Sequence, residues 1–485
     1  MNEFDAIAND EVVKSVHGQT PMNRRQFIRA AAIAGAAALA TGCAPQIVEK
    51  IVKETQIVTV KETQVVSIVE TVMAPAEEKI VRFWTSRFFN PEITLAFFEQ
   101  SQVAGRMAGV TVDVEAISGS FTEYAGKVTA AHEAGTLPDI FAPQVATRQF
   151  INNGWMLDIT DVWDTVAKNN GGWHPIAESN FMVDKKGYAL DIGFAPAFMH
   201  TRKDLVEEAG FSVPFKDLAE MVAFAKTYND PKNNKYGLAF SFGKDDDLMH
   251  LQPLMWAHGG SSFDKDGNIT INSPENVAAL KWYTDLYTVE KLVPPGATTW
   301  DGGGNNQAYL TGQSPLIMNP GSPLAAARRR ASSVDKLLEK TFCQPWPQLN
   351  DKYGPQAQTE AGQAFGIGAE SKFVDEAKQI LLHIWSPEIY LKMMKQGQGY
   401  LFPALQGIYK DDYYVKDEWN KQVVDLVLPI MHDESWAGPP GPWTSLWATW
   451  SGQACTSVVQ DGVTPQAALD KAQKIVEEAR KTFTG

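Results

Sequence analysis

Hydrophobic and polar residues follow two alternating patterns along the chain from residue 79 onward. Residues 80–84 form a short apolar run and residues 110–114 alternate with a period of two, so both segments predict β-strands. Residues 91–102 begin with proline, which suits the first turn of a helix, and have helical spacing. Helical spacing returns at residues 124–133, and residues 139–142 predict a further strand.

The same alternation resumes after about residue 190 and ends in a well-marked helix. Thr464 is a suitable capping residue and Pro465 a suitable first residue for this helix. Its apolar face is made by Ala468, Leu469, Ala472, Ile475, Val476 and Ala479. Strands that alternate with helices of this length predict parallel sheet covered by helices, and therefore an α/β fold.

The N-terminal region has the features of an export signal. Arg24, Arg25 and Arg29 precede an alanine-rich run that ends at Cys43, and a basic patch before an apolar run is typical of a signal peptide. The paired arginines resemble a twin-arginine signal, and the residues before Cys43 resemble a lipobox, in which that cysteine is lipidated. A transmembrane anchor is the alternative, but the run is about half of the ~20 apolar residues that a spanning helix needs. We expect a signal peptide over residues 1–42 and lipidation of Cys43.

Residues 43–78 differ in composition from everything after them. The heptapeptide at 52–58 is nearly repeated at 60–66, and β-branched residues alternate with polar ones without any glycine or aromatic residue after Cys43. Such a segment cannot bury a core of its own, so we interpret it as a stalk, with a stray edge strand as the alternative. The rest of the 485-residue chain is too long for one ordinary core and fits two domains.

Net charge and cysteine content limit the partners and metal sites that the protein could have. The formal charge of −14 disfavours nucleic acid as a partner, and we interpret the basic run at 328–330 as a solvated helix face. Of the 3 cysteines, Cys43 is assigned to lipidation, which leaves Cys343 and Cys455 either free or paired. Their spacing matches no zinc or thioredoxin-like motif, so the sequence predicts neither a metal nor a cofactor.

A search for catalytic motifs finds only fragments. His132 and Glu133 begin a zincin motif, but position 136 is threonine rather than histidine. The glycines at 302–304 are not followed by the lysine and hydroxyl residue of a phosphate loop. The carboxylates at 245–247 could form a glycosidase or calcium site, but their spacing matches no Ca²⁺ loop. We therefore predict that the protein is not an enzyme and has no catalytic residue.

Tryptophan is the most suggestive residue type. Several of the 14 tryptophans, such as Trp300, Trp346, Trp436 and Trp443, lie among proline, glycine and aspartate rather than in periodic segments. A pyranose ring stacks its C–H face on an aromatic plane, and its hydroxyls take directional hydrogen bonds from carboxylates and amides. The group as a whole favours carbohydrate binding, although packing explains any one of these side chains equally well.

Six short segments distributed over residues 79–485 occur in an order that one known protein family shares. They are the helix and Pro-Asp strand at 124–140, the Gly-Trp-Met-Leu-Asp stretch at 153–159, the Lys-Asp-Leu segment at 202–211, the Ser-Pro-Glu helix starts at 273–275 and 386–388, and the Tyr-Leu-Thr-Gly-Gln turn at 309–313. In this order they resemble the extracellular solute-binding proteins (family 1) of ATP-binding-cassette importers, of the multiple-sugar or maltodextrin type.

The resemblance implies an α/β, two-lobed periplasmic-binding-protein-like fold of type II, with a ligand cleft between the lobes. It places the first lobe at about residues 79–190 and 360–408, and the second at about 191–359 and 409–485. Ligand would bridge the lobes and favour the closed state by movement about hinge strands. It also implies a carbohydrate ligand, the membrane permease subunits of an importer as partners, and a monomer held at the membrane by its lipid anchor.

We assign the cleft to residues that follow strand ends or lie at lobe crossings, because open α/β sheets bind ligands there. The candidate ligand-binding residues are Trp84, Arg87, Gln144, Asp191, Phe194, Trp300, Asp301, Asn319, Glu360, Trp436 and Trp443. Phe88 and Trp256 lie nearby, and we assign them to packing.

Three functions are compatible with the sequence. The first is a binding protein for a sugar or oligosaccharide, exported and held at the outer face of the cytoplasmic membrane. The second is the same scaffold with a polyamine, a peptide or glycerol phosphate as its cargo. The third is a secreted carbohydrate-active enzyme, such as a lyase or a glycosidase.

Overall fold

The computed structural model describes residues 78–86, 90–117, 121–143, 146–242, 247–300, 303–329, 337–360, 363–433 and 443–482. The predicted signal peptide, Cys43 and the stalk up to residue 77 lie outside the described residues. Among the described helices, each is too short or too polar to cross a membrane.

Strands and helices alternate through most of the described chain. The strands are β1 (Ile80–Ser86), β2 (Thr111–Ile117), β3 (Ile140–Phe141), β4 (Met182–Val183), β5 (Lys186–Gly187), β6 (Leu190–Asp191), β7 (Ala195–Arg202), β8 (Leu316–Asn319), β9 (Thr341–Gln344), β10 (Ala357–Glu360), β11 (Ala364–Ile367) and β12 (Met431–Asp433). The helices are α1 (Pro91–Ala108), α2 (Phe121–Glu133), α3 (Thr147–Asn152), α4 (Thr160–Asn170), α5 (Pro175–Phe181), α6 (Lys203–Glu208), α7 (Leu218–Tyr228), α8 (Asp247–Ala257), α9 (Pro274–Thr288), α10 (Gly304–Leu310), α11 (Ser322–Arg329), α12 (Val374–Ile384), α13 (Pro387–Gln396), α14 (Asp412–Val415), α15 (Glu418–Gln422), α16 (Trp443–Asp461) and α17 (Pro465–Thr482).

The predicted elements of the N-terminal part are confirmed, with one helix longer than expected. Helix α1 continues six residues past Gln102 and ends where Gly109 adopts a left-handed φ of 73°. It continues because Ala104 and Gly105 extend its buried face. A Cβ on Gly105 would lie 2.4 Å from Cγ2 of Val112, so the helix packs directly on β2 at this glycine.

The strands assemble into two five-stranded sheets and a short β4–β5 pair. The first sheet has the order β2-β1-β3-β11-β6, and the second has the order β12-β10-β7-β8, with β9 also paired to β7. The prediction of parallel sheet holds for β1, β2 and β3. It is wrong for most of the second sheet, because β7 runs antiparallel to β8, β9 and β10.

Separate buried cores support the two sheets. Phe83, Ile140 and Phe365 belong to the core of the first sheet, whereas Met199 and Leu316 belong to a second core beneath the helices of the other sheet. Mixed sheets covered by helices confirm the α/β fold class.

Among the described strands the chain passes from one sheet to the other three times, after β6, β10 and β11. The first two passages are adjacent, and we call them the crossing segments. Residues 191–195 join β6 to β7, and residues 360–364 join β10 to β11. The two segments are paired side by side, since Glu360 is opposite Ala195 and Ala364 is opposite Asp191.

The first crossing segment is tightly fixed. Gly193 has a φ of 154°, and a Cβ at this position would lie 2.6 Å from the carbonyl oxygen of Phe402. The indole of Trp385 donates to the Asp191 carbonyl oxygen (2.9 Å), and the Tyr390 hydroxyl donates to the carbonyl oxygen of Ile192 (2.6 Å). Two aromatic donors therefore hold the backbone where the chain changes sheet.

The interpretation of the basic run as a solvated helix face is wrong for Arg328. Its side chain is only 13% exposed and pairs with Asp417 at 2.6 Å. Its Nη1 donates to the Gln398 carbonyl oxygen and to the Tyr413 hydroxyl (2.7 and 2.8 Å), and its guanidinium lies 4.8 Å from the ring centre of Trp419. The periodicity of α11 alone did not reveal these partners, because they come from residues more than 65 positions later in the chain.

Cys343 and Cys455, which could have paired, are both buried and form no disulfide with each other. Cys343 lies in the core of the first sheet and Cys455 in that of the second. Burial raises the pKa of the Cys343 thiol, which makes it a packing residue rather than a reactive one.

Candidate ligand-binding site

Strand direction determines where the loops of the first sheet meet. Strands β1, β2 and β3 are parallel, and β11 is antiparallel to both β3 and β6. Strands β1, β2, β3 and β6 therefore all point the same way. Because β6 ends at a crossing segment, this shared carboxyl edge lies on the side of the crossing segments.

The second sheet has the corresponding arrangement. Strand β10 ends at the other crossing segment, and β12 is parallel to it. Strand β8 also points the same way, because β8 and β10 are both antiparallel to β7. The carboxyl edges of both sheets therefore flank the crossing segments, which is where open α/β sheets bind ligands.

A cluster of neutral polar side chains lies at the carboxyl end of β8. Asn319 donates through Nδ2 to Oδ1 of Asn306 (2.7 Å) and to Oγ of Ser322 (3.2 Å). The Asn306 amide also donates to Oγ of Ser322, at 3.2 Å. Asn306 and Ser322 are half-buried, whereas Asn319 is buried. These amides and the hydroxyl offer both donors and acceptors at the edge of the sheet.

A buried histidine supports this cluster from inside the sheet. Nε2 of His200 lies 3.0 Å from the carbonyl oxygens of both Asn319 and Pro320. A carbonyl oxygen only accepts, so Nε2 carries the hydrogen and donates to the turn. Complete burial lowers the pKa of His200 to about 4, so the ring is neutral at neutral pH and adds no charge beneath the cluster.

Polar groups of the first sheet meet the second crossing segment. Nε2 of Gln363 donates to Oγ of Ser86 at the end of β1 (2.8 Å). The backbone N–H of Ile192 donates to the carbonyl oxygen of Gln363 (3.0 Å). Half-buried Gln363 thus joins both crossing segments to the carboxyl edge of the first sheet.

Two of the predicted aromatic residues are partly accessible. Trp84, on β1, is half-buried against the first core, and its carbonyl oxygen accepts from the Tyr124 hydroxyl (3.2 Å). Trp300 is half-buried against the second core, and a Cβ on Gly304 would come within 2.3 Å of its ring. Both side chains combine a packing role with some exposed indole surface.

Two predicted site residues are fully buried in this structure. The Asp191 carboxylate accepts from the backbone N–H of Gly193 (2.9 Å) and shapes the first crossing segment. The ring of Phe194 packs edge-on against His174, at 5.0 Å between ring centres. Because both side chains are engaged by partners within the fold, the site that we propose does not include them.

Six of the other candidates are not described at the level of side chains. Arg87, Gln144, Asp301 and Trp436 lie outside the described residues, as does Phe88. For Glu360 and Trp443 only the backbone position is described, at the end of β10 and the start of α16. Their assignment to the site stays a prediction.

Sequence reasoning missed Asn306, Ser322, Ser86 and Gln363. Asn306 and Ser322 flank Asn319 only because α10 and α11 approach the end of β8 in the folded chain. A weak signal was present, since Ser322 follows directly on the turn after a predicted strand end. Trp256, which we had assigned to packing, is 8% exposed and packs against His432.

The described residues do not meet the requirements of a metal site, and they contain a further cavity. No group of three or more histidine, cysteine or acidic side chains within them could hold a metal ion. A cavity of about 280 Å³ lies at the opposite, amino ends of β10 and β12 and is lined by residues such as Pro345, Pro355 and Ile430. Its largely apolar lining and its position at the opposite strand ends separate it from the polar cluster.

Known proteins are similar to this chain in sequence. The model of the bacterial extracellular solute-binding protein family matches residues 98–422. A protein of Brucella abortus (strain 2308) named as a binding protein is 23% identical over 340 residues, which cover 66% of this chain and 75% of that protein.

Solved structures match over a larger share of the chain. Maltose-bound MalE3 of T. maritima has a TM-score of 0.71 and 19% identity, and the match covers 82% of this chain and 99% of that one. A ribitol-bound ABC transporter solute-binding protein of Agrobacterium radiobacter K84 has a TM-score of 0.70 and 23% identity, with 84% and 100% covered. These similarities establish the two-lobed fold, and the family match over well more than half of its length shows that the chain belongs to the bacterial extracellular solute-binding proteins.

Proposed function

We propose that this protein is a solute-binding lipoprotein of an ATP-binding-cassette importer that captures a sugar or oligosaccharide between two lobes. The lobes comprise about residues 79–190 with 360–408, and 191–359 with 409–485. The observation that carries the proposal is the placement of both carboxyl edges beside the crossing segments, with neutral amides and hydroxyls on them.

The chemistry of the described polar groups favours a sugar over the other cargoes. Asn306, Asn319, Ser322 and Gln363 are uncharged and offer donors and acceptors together, as sugar hydroxyls require. A polyamine would be matched better by carboxylates, and glycerol phosphate by cationic side chains. The half-buried indoles of Trp84 and Trp300 supply apolar area for the C–H face of a ring.

Binding is proposed to act through lobe closure rather than through covalent chemistry. The crossing segments would serve as the hinge, and a ligand that contacts both edges would stabilise the closed state. The permease subunits of the importer would then recognise the closed form.

A thermal-shift screen tests the proposal. The panel includes maltose, maltotriose, laminaribiose, tagatose and ribitol, with spermidine and glycerol phosphate as the competing cargoes. A ligand that binds only the native state adds about 2.7 kcal/mol at a hundredfold excess over Kd, so a genuine ligand should raise the Tm clearly. The bound sugar should also reduce the radius of gyration in solution scattering. If spermidine or glycerol phosphate shifts the melt and no sugar or polyol does, the sugar assignment fails.

The enzyme alternative has its own test. Incubation with the sugar that binds, followed by mass spectrometry of the released ligand, should return it chemically unchanged. Turnover that persists after repurification would favour a carbohydrate-active enzyme instead.

Membrane attachment depends on Cys43. Replacing it in Cys43→Ala should move the exported protein from the membrane fraction to the soluble fraction, because the lipid-bearing residue is lost. Cys343→Ala is the matched control, since this cysteine is buried in the fold and should leave the fractionation unchanged. A wild-type protein that is already soluble after export would contradict the anchor.

A further inference from the structure

Gln358 is a glutamine in the interior of the second sheet. It lies on β10 between β7 and β12 and has no exposed surface. Within the described part of the chain, neither Oε1 nor Nε2 of this side chain has a hydrogen-bond partner. Native proteins satisfy the large majority of their buried side-chain polar atoms, because burying an unpaired amide is costly. The unpaired amide therefore calls for a functional explanation.

The strand register shows what surrounds Gln358. It is opposite Ala197 on β7 and opposite His432 on β12, so the three side chains point to the same face of the sheet. Helix α8 packs across this face. The ring of Trp256, near the end of α8, meets the ring of His432 edge-on, at 5.2 Å between ring centres.

Another glutamine, on α8, has one unpaired amide atom. Gln252 is 2% exposed, and its Oε1 has no partner among the described residues. It precedes Trp256 by four residues, so both side chains lie on one face of the helix. Since Trp256 contacts His432, this face is directed at the row of the sheet that contains Gln358. We call Gln252 and Gln358 the glutamine pair.

The position of the glutamine pair suggests what it binds. His432 is exposed and lies next to the end of β12, at the carboxyl edge beside the crossing segments. The glutamine pair is thus next to the proposed ligand cleft, and the Trp256 ring lies one helical turn from Gln252. Amides that donate and accept, beside an indole, are suited to the hydroxyls of a sugar or polyol.

We propose that Gln252 and Gln358 determine specificity by hydrogen-bonding hydroxyl groups of the bound sugar or polyol. This inference rests on the proposed function. In the free protein both polar atoms of the Gln358 amide and Oε1 of Gln252 are unpaired among the described residues, and the bound hydroxyls supply the missing partners. A solute that lacks hydroxyls at this place is rejected, because it leaves buried polar groups unpaired.

Methionine substitutions separate this role from ordinary packing. Gln358→Met and Gln252→Met keep an unbranched side chain of similar length and remove the amide. Each should raise the Tm of the free protein by about 1–3 °C, since an unpaired polar group is replaced by an apolar one. Each should also weaken binding of the best sugar from the panel by roughly 5- to 100-fold in isothermal titration calorimetry.

Gln344→Met is the matched control. Gln344 is 1% exposed on the neighbouring strand β9, but its Oε1 accepts from the backbone N–H of Phe215 at 3.2 Å. Its replacement should lower the Tm of the free protein and leave the affinity unchanged within about twofold.

The outcomes distinguish the inference from the function on which it rests. A Tm for Gln358→Met that falls as far as that of the control would show that buried water satisfies the amide, and would overturn the inference, as would unchanged sugar affinity. If no sugar or polyol shifts the wild-type melt, the proposed function fails. The inference then fails with it, whereas sugar binding that neither methionine variant weakens overturns the inference alone.

Discussion

Acid should destabilise the free protein through His200, well above the pH at which carboxylates titrate. Burial lowers the pKa of this imidazole from 6.5 to about 4 in the folded protein. Between these values the unfolded chain binds more protons than the folded one, so stability is complete above pH 6.5 and falls as the pH falls towards 4. At 1.36 kcal/mol for each pKa unit, the loss amounts to about 3 kcal/mol, of which about 2 kcal/mol has occurred by pH 5.

Urea unfolding followed by tryptophan fluorescence at pH 8, 7, 6, 5 and 4.5 measures this loss. The variant His200→Gln keeps a donor for the Asn319 turn but has no titratable ring. It should be less stable than wild type at pH 7 and should lose less stability than wild type between pH 6.5 and 4.5. The interval from pH 8 to 7 is an internal control, in which neither protein should change through this group. If wild type and variant lose stability in parallel, the buried neutral histidine is not the cause and the reasoning is refuted.

Three further predictions concern packing and the polar turn. Arg328→Met should reduce the free energy of unfolding by about 2 kcal/mol or more, because it leaves buried acceptors unpaired. A urea titration that shows a loss of less than about 0.5 kcal/mol would contradict this. Gly321→Ala should weaken sugar binding at least about tenfold, since its Cβ would lie 1.7 Å from the Gly399 carbonyl oxygen and displace the turn that follows Asn319. If calorimetry shows an unchanged affinity, that turn is not part of the site. Cys343 and Cys455 should both be alkylated in unreduced, denatured protein, and a reductant that lowers the Tm would indicate a disulfide instead.

Local sequence patterns predicted those helices and strands whose buried face follows one simple periodicity. The final helix is the clearest case: Thr464 caps it by accepting from the backbone N–H of Ala467 (3.3 Å), and Leu469, Ala472 and Val476 are buried on the predicted face. The fold class followed from the alternation of strands and helices, because each element presents one apolar face to a sheet or helix.

The features that sequence missed depend on contacts between distant segments. The direction of β7 is set by its pairing with strands more than 100 residues later in the chain. The partners of Arg328 and the approach of Asn306 to Asn319 arise from tertiary packing rather than from spacing. For the candidate site, strand ends led to Asn319, whose role in binding stays a prediction. They gave no information on burial, and Asp191 lies inside the fold.

Hydrogen–deuterium exchange with and without the best sugar from the panel tests the central claim most directly, because it locates the ligand as well as detecting it. The account predicts slower exchange in peptides that cover the carboxyl edges of both sheets, at residues 84–86, 304–306, 318–322 and 363–365. Peptides around the apolar cavity at residues 345–348 and 429–430 should be unchanged. Protection at that cavity, with none at the two carboxyl edges, would contradict the claim that the ligand binds between the lobes.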